Sequence, residues 1–102
     1  MADEFWASTK QPSEVWTLAV EYQNRLATGE TLTNPSATAI REDTGADVTA
    51  AFLNNPPVVV GTQVKFTIKD GTDGITYKVT VRVDTNTGQH FEADIHVRVK
   101  QI

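Results

Sequence analysis

Polar and apolar side chains alternate along the last third of the chain, from Tyr77 to Val99. Successive side chains of a β-strand point to opposite faces, so this period of two predicts strands with one buried face. Turn residues in segment 85–89, including Asn86 and Gly88, separate two such runs. The predicted hairpin has an apolar face made of Tyr77, Val79, Val81, Val83, Phe91, Ala93, Ile95, Val97 and Val99. Such a face needs a second layer of structure to cover it.

The segment from Glu14 to Arg25 fits two periods. A strand is indicated by the alternation of Trp16, Leu18, Val20 and Tyr22. A helical stripe is also present, formed by Val15, Leu18, Ala19, Tyr22 and Leu26. We favour the strand, because Val, Trp, Thr and Tyr suit a pleated surface.

The rest of the chain consists of short β-like runs separated by turn residues. We expect strands within 37–41, 58–60 and 64–68, and a weak strand or a short loop at 48–53. Segments 27–31, 43–45, 61–62 and 70–74 are predicted turns, and 33–35 and 54–57 are predicted breaks. About seven short strands with regular turns predict an all-β, immunoglobulin-like antiparallel β-sandwich.

Tyr77 and Gly74 are the candidate structural residues of this sandwich. Tyr77 follows Gly74 by three residues, at the start of the penultimate strand. A tyrosine at this place often bonds its hydroxyl to the preceding corner, as in immunoglobulin-like domains. The alternative is an ordinary amphipathic core tyrosine, and either interpretation supports a Greek-key sandwich.

Residues 1–13 are predicted to form an extended N-terminal arm, with the β-sandwich domain at 14–102. The arm is polar apart from Phe5 and Trp6 and ends near Pro12. Trp6 could fold back to cap the core, or the arm could dock on another subunit. Phe5 and Trp6 are therefore the candidate partner-docking residues.

Composition narrows the class of protein. The length of 102 residues suits one domain. The net charge is −4, and the basic residues are scattered rather than gathered into the stripe of a nucleic-acid binder. The chain has no cysteine, and its apolar runs, such as Val58–Val60, are too short to cross a bilayer. We expect no secretory signal and no nucleic-acid or membrane partner.

Few residues are suited to catalysis or metal binding. Asp70 and Asp73 lie beside glycines, but a calcium loop needs more oxygen ligands, so we interpret both as turn residues. His90 and His96 are expected to be solvated surface side chains, too far apart for one metal. The common nucleophile, phosphate-loop and zinc motifs are lacking. The sequence therefore predicts no catalytic residue, no metal site, no cofactor and no enzyme.

Three segments resemble a family of small tailed-phage proteins known as fiber–tail adaptor proteins. Segment 10–15, Lys-Gln-Pro-Ser-Glu-Val, is similar to the family's Lys-Asp-Pro-Asp-Glu-Val. Segment 26–32, Leu-Ala-Thr-Gly-Glu-Thr-Leu, is close to its Leu-Ala-Thr-Gly-Glu-Thr-Ile. Segment 74–83, Gly-Ile-Thr-Tyr-Lys-Val-Thr-Val-Arg-Val, corresponds to its Gly-Thr-Thr-Tyr-Thr-Val-Thr-Asn-Arg-Ile. The order and spacing of the segments carry the resemblance, which spans residues 10–100.

The resemblance implies a non-enzymatic virion structural protein with an immunoglobulin-like fold. Such a protein would be made in the host bacterial cytoplasm and would dock on tail, neck, fiber or capsid proteins. It would help attach fibers and act in multiple copies within a symmetric assembly. Two alternatives stay open: a capsid decoration protein, and a carbohydrate-binding module with exposed aromatics such as Trp6, Trp16 and Tyr22.

Overall fold

The computed structural model describes residues 3–6, 9–54 and 56–101. Within these ranges the chain forms strands and two very short helical segments. In chain order they are β1 (Asp3–Trp6), β2 (Trp16–Glu21), a 3-10 turn (Gln23–Arg25), β3 (Leu32–Arg41), α1 (Thr49–Phe52), β4 (Val58–Val60), β5 (Gln63–Ile68), β6 (Thr76–Thr85) and β7 (His90–Arg98). The predicted all-β class is confirmed.

The larger sheet is built around the predicted hairpin of β6 and β7. Its strand order is β1-β7-β6-β3, in which β1 is parallel to β7 and the other neighbours are antiparallel. Tyr77 lies opposite Val97, and Val83 lies opposite Phe91. The predicted apolar face is buried, since each of its members is at most 9% exposed.

The smaller sheet supplies the second layer. Its order is β2-β5-β4, with antiparallel neighbours throughout. Val20, Val64 and Phe66 join the same buried cluster as the hairpin residues. Two sheets that share one core form a β-sandwich. The strand predicted within Glu14–Arg25 is confirmed at Trp16–Glu21, before the 3-10 turn.

The predicted break at residues 33–35 is wrong. β3 continues through this segment, and its register with β6 shifts between Thr33 and Ser36, which marks a β-bulge. Asn34 takes a φ of 50° there. β3 is an edge strand of its sheet, and an edge tolerates proline because one side of the strand needs no N–H donor for a ladder.

The predicted weak strand or loop at 48–53 is instead a single helical turn. The carboxylate of Asp47 accepts a hydrogen bond of 2.9 Å from the N–H of Thr49, which directs the chain into α1. The turn places Phe52 in the core, where it is 1% exposed. One helical turn thus buries a large side chain that a period of two could not identify.

Candidate docking surfaces

The predicted docking residues Phe5 and Trp6 lie in β1, at one edge of the larger sheet. Their backbone pairs with β7, with Phe5 opposite Ile95 and Trp6 opposite His96. The arm therefore adds a strand to the sandwich. The positions of these two side chains fall outside what the structure describes, so docking through the aromatic rings stays a prediction.

Lys10 anchors the arm to the sandwich. Its side chain is 0% exposed. Its ammonium donates to three backbone carbonyl oxygens, those of Gln11 (2.8 Å), Pro12 (3.3 Å) and Asp70 (2.6 Å). Burial lowers the pKa of Lys10, and the nearby carboxylates of Asp70 and Glu14 oppose that shift.

The backbone N–H and C=O groups of Lys10 are also hydrogen-bonded within the fold. The Lys10 N–H donates to the Arg98 carbonyl, and the Lys10 carbonyl accepts from the Lys100 N–H, both at 2.9 Å. The Gln11 N–H donates to Glu14 Oε1 at 2.7 Å, while the Glu14 N–H donates to the Gln11 carbonyl at 3.0 Å. The first family-like segment is therefore a self-bonded turn that fixes the arm to the end of β7.

Tyr77 and Gly74 lie in the corner that leads into β6. The Thr72 N–H donates a hydrogen bond of 2.7 Å to the Tyr77 hydroxyl. The Tyr77 ring stacks on Phe52, with ring centroids 4.3 Å apart. Gly74 has a φ of 87°, and its N–H donates to the Val99 carbonyl at 2.8 Å. A tyrosine hydroxyl bonded to the preceding corner is the arrangement found in immunoglobulin-like sandwiches.

Gly71, in the same corner, is a structural residue that the sequence pattern did not single out. It has a φ of 99°, and a β-carbon there would lie 2.8 Å from Cγ2 of Val99. A β-carbon at Gly74 would meet no described atom within 4 Å. The Asp-Gly-Thr-Asp-Gly segment signals two turn glycines, but only packing shows which one lies against the core.

Glu30 closes the opposite end of the sandwich, where β6 meets the hairpin turn. Its side chain is buried and accepts from the Ala27 N–H at 3.0 Å and from the Thr87 hydroxyl. The Thr31 N–H donates to Asn86 Oδ1 at 3.0 Å, and the Asn86 N–H donates to the Thr31 carbonyl at 3.1 Å. The second family-like segment thus ties loop 26–31 to turn 85–89.

Glu30 should make stability depend on acid pH. The Thr87 hydroxyl, followed by the Ala27 N–H, lowers the pKa of Glu30 below 4.5. A carboxylate with a lowered folded-state pKa stabilises above its unfolded pKa, and this contribution is lost as pH falls through the folded-state pKa. We expect Glu30→Gln to be less stable than wild type at neutral pH, with the difference shrinking below pH 4.5. Urea denaturation of both proteins across this range measures it.

Thr87→Val is the matched control for this pH effect, because it removes the principal donor to Glu30 and keeps the carboxylate. In the Thr87→Val protein, Glu30→Gln should cause a smaller pH-dependent loss in the free energy of unfolding. An equal pH dependence in both backgrounds would contradict the role of Thr87.

The outer face of the larger sheet carries paired charges. Arg82 Nε donates to Glu92 at 2.8 Å, and the Thr80 hydroxyl donates to Asp94 at 2.8 Å. Such cross-strand pairs give the sheet modest support. These charges lie on the face of the sheet and not at its edge, because β3 and β1 flank the hairpin.

The two histidines differ in environment. The His90 side chain is 76% exposed and lies 2.5 Å from Asp84, so its predicted exposure is confirmed. His96 is only 9% exposed, and its Nδ1 lies 3.0 Å from Oε1 of Glu42. The predicted solvation of His96 is wrong, because alternation assigns a residue to a face and does not show which loop covers it.

The smaller sheet presents an apolar outer edge. Among the described residues, the exposed large hydrophobic side chains are Val15, Val58 and Val60, at 60%, 54% and 49% exposure. Val58 and Val60 flank the half-buried Val59 in β4, which is an edge strand. Exposed apolar side chains at a sheet edge are candidates for contact with another chain.

The predicted turn residues Asp70 and Asp73 bond within the fold. Asp70 has a φ of 56° and its carbonyl accepts from Lys10, while the Asp73 carboxylate accepts from the Gln101 N–H at 2.8 Å. Over the described ranges, no group of three or more His, Cys, Asp or Glu side chains is placed to hold a metal ion.

Tyr22 is 1% exposed, which removes it from the aromatic platform of a carbohydrate-binding module. In the part of the chain that the structure describes, no helix has the length and apolar character to cross a membrane.

The buried core and the hydrogen-bonded corners define a small all-β sandwich protein. A family model described as podophage GP4 fiber-tail adaptor protein gp77 matches residues 10–98. Because this match covers most of the chain, the protein belongs to that family of phage fiber–tail adaptors. The resemblance carried by segments 10–15, 26–32 and 74–83 is confirmed. Comparison with curated proteins gave no match.

Proposed function

We propose that this protein is a non-enzymatic virion component that docks on tail or neck proteins and helps attach fibers. The family match over residues 10–98 is the observation that carries the proposal. Its partners are other phage virion proteins, which it meets after synthesis in the host bacterial cytoplasm. Its mechanism is docking by a rigid sandwich, without catalysis or a cofactor.

The strand topology supports an immunoglobulin-like sandwich. The chain places β2, β5 and β4 in one sheet and β3, β6 and β7 in the other. This division corresponds to strands B, E and D, and C, F and G, of a constant-type immunoglobulin domain. β1 departs from that pattern, because it pairs with β7 rather than with β2. Tyr77 is the second residue of the sixth strand, next to the corner that precedes it.

The family-like segments support a division between framework and docking surface. Lys10, Glu30 and Tyr77 each bond within the fold. Docking is therefore assigned to surfaces outside these corners, namely the arm with Phe5 and Trp6 and the edges of the sheets. Strand addition at an edge is a general means by which an extended segment binds a sheet.

Particle assembly with variant chains tests the proposal. Phage particles assembled with the double variant Phe5→Ala/Trp6→Ala should carry fewer fibers than particles with the wild-type chain, as counted in electron micrographs. Val15→Ala is the matched control, because it removes an exposed apolar side chain outside the arm. Thermal melting of each purified chain separates loss of docking from loss of folding.

The location and copy number of the chain distinguish a tail adaptor from a capsid decoration protein. A tag on Ile102 should appear at the tail or neck, with few copies per particle, because a tail site is present only once per virion. Many copies distributed over the capsid would support decoration. A tag that never appears on particles would overturn the virion role.

A further inference from the structure

Within residues 3–6, 9–54 and 56–101, the sandwich has four edge strands, and they differ in how far each is protected from pairing with another strand. β1 begins with the acidic residues Asp3 and Glu4, and β2 ends in Glu21. The outer side of β3 is covered at its C-terminal end, since Arg41 bonds to residues 45 and 46 and Ala39 bonds to Val48. The rest of that edge is interrupted by Pro35 and the β-bulge. β4 contains only valines. An edge without charge or cover is the one most open to pairing with another strand.

The hydrogen-bond phase of β5 shows which backbone groups of β4 face outward. Thr67 accepts from the Asn54 N–H, and the Lys69 N–H donates to Phe52. The backbone N–H and C=O groups of the odd-numbered residues of β5 therefore point toward the side on which β4 lies. Because these directions alternate from residue to residue in an antiparallel ladder, the same holds along the whole of β5. Val59 lies opposite Val64, an even-numbered residue. The N–H and C=O of Val59 consequently point to the open edge.

The side chains on either side of Val59 are apolar and exposed. Val58 and Val60 are 54% and 49% exposed and share the outer face of the smaller sheet. Segment 56–62 contains no charged residue. The edge thus offers one backbone donor and one acceptor between two exposed apolar side chains.

We propose that β4 pairs in antiparallel fashion with β4 of a second copy of this chain, about a two-fold axis at Val59. The Val59 N–H of each copy donates to the Val59 carbonyl of the other. Val58 then lies directly opposite Val60 of the second copy, in a non-hydrogen-bonded pair whose side chains approach most closely. The two smaller sheets become one continuous sheet with four valines clustered on its outer face.

A second copy fits this edge because the edge is complementary to itself. A two-fold interface places the same patch on both partners, and the sequence Val58-Val59-Val60 is unchanged when its direction is reversed. Neither copy brings a charge that pairing would desolvate. The inference extends the expectation that the protein acts in multiple copies within a symmetric assembly, and it is tested on purified chain alone. Its failure would therefore leave docking on tail proteins intact.

The contact is small, so trapping is the suitable measurement. Three-residue strands bury less than the roughly 1,200 Å² of a standard stable interface, so the pair is expected to be weak in solution. The natural chain contains no cysteine. Single-cysteine variants therefore report on one contact each, without competing thiols.

The experiment mixes Val58→Cys and Val60→Cys chains of different mass under mild oxidation. The disulfide-linked heterodimer should exceed either homodimer by about fivefold, because directly opposed β-carbons lie about 5 Å apart and diagonal ones about 7 Å. Val15→Cys, at a valine of similar exposure outside β4, is the matched control and should form little disulfide with either variant. Equal yields for all combinations would overturn the proposal.

Amide exchange provides a second readout. In the trapped heterodimer, the Val59 amide should exchange at least about tenfold more slowly than in the free chain, because it has gained a hydrogen bond. The Val15 amide, outside the proposed contact, should be unchanged. A Val59 amide that stays as fast as in the monomer would overturn the pairing, even if a disulfide forms.

Discussion

Gly71→Ala should lower the free energy of unfolding by about 3 kcal/mol, because left-handed backbone strain and a core clash add together. The φ of 99° is unfavourable for alanine, and the added β-carbon would lie 2.8 Å from Cγ2 of Val99. Val99 is 0% exposed, so its side chain has little room to move away. Equilibrium denaturation in guanidinium chloride measures the loss.

Gly74→Ala is the matched control for this clash. Its φ of 87° is similar, but an added β-carbon would meet no described atom within 4 Å. We expect a loss of about 1 kcal/mol from backbone strain alone. Equal losses at the two glycines would contradict the proposed contact between Gly71 and the core.

Lys10→Met should lower the free energy of unfolding by about 2–3 kcal/mol, because an ammonium that bonds to three carbonyls is replaced by a side chain without donors. The substitution keeps an unbranched side chain in a site where Lys10 is 0% exposed. It leaves the carbonyls of Gln11, Pro12 and Asp70 without this donor. Urea denaturation near neutral pH measures the change.

Lys100→Met separates this effect from a general loss of positive charge. Lys100 is exposed, and its N–H donates to the Lys10 carbonyl from the neighbouring segment. We expect a change within about 0.5 kcal/mol, as for most surface substitutions. A loss at Lys100 as large as that at Lys10 would show that charge, rather than the buried hydrogen bonds, determines the effect.

These variants also bear on function. Lys10 holds the segment between β1 and β2 against the end of β7 and the carbonyl of Asp70. Lys10→Met should therefore loosen the arm that carries Phe5 and Trp6, and amide exchange in β1 should become faster. If the arm is the docking element, a loosened arm should attach fewer fibers even at temperatures where the sandwich is folded.

The parts of the fold that depend on local pattern were predictable. The hairpin of β6 and β7 alternates over many residues, so its strands, turn and buried face follow from a period of two. Glycine-containing turns were also recognised, because positive φ angles favour glycine, as at Gly29, Gly45 and Gly88. The family followed from three short segments whose order is preserved along the chain.

The parts that depend on distant contacts were not predictable. The helical turn at Thr49–Phe52 is too short to show a period, and it is set by burial of Phe52 against Tyr77. The bulge at Asn34 depends on β3 having one open side. The burial of His96 depends on Glu42, which is 54 residues away in sequence.

By itself, the sequence determined the all-β class, the long hairpin and the family, because each is written in local periodicity and short segments. Tertiary structure alone decided that Lys10, Glu30 and Gly71 form the framework, since their partners are far away in the chain. It also decided that β4 is the uncharged edge with Val59 facing outward. The order of strands within a sheet decides which strand lies at its edge. No local pattern in the sequence specifies that order.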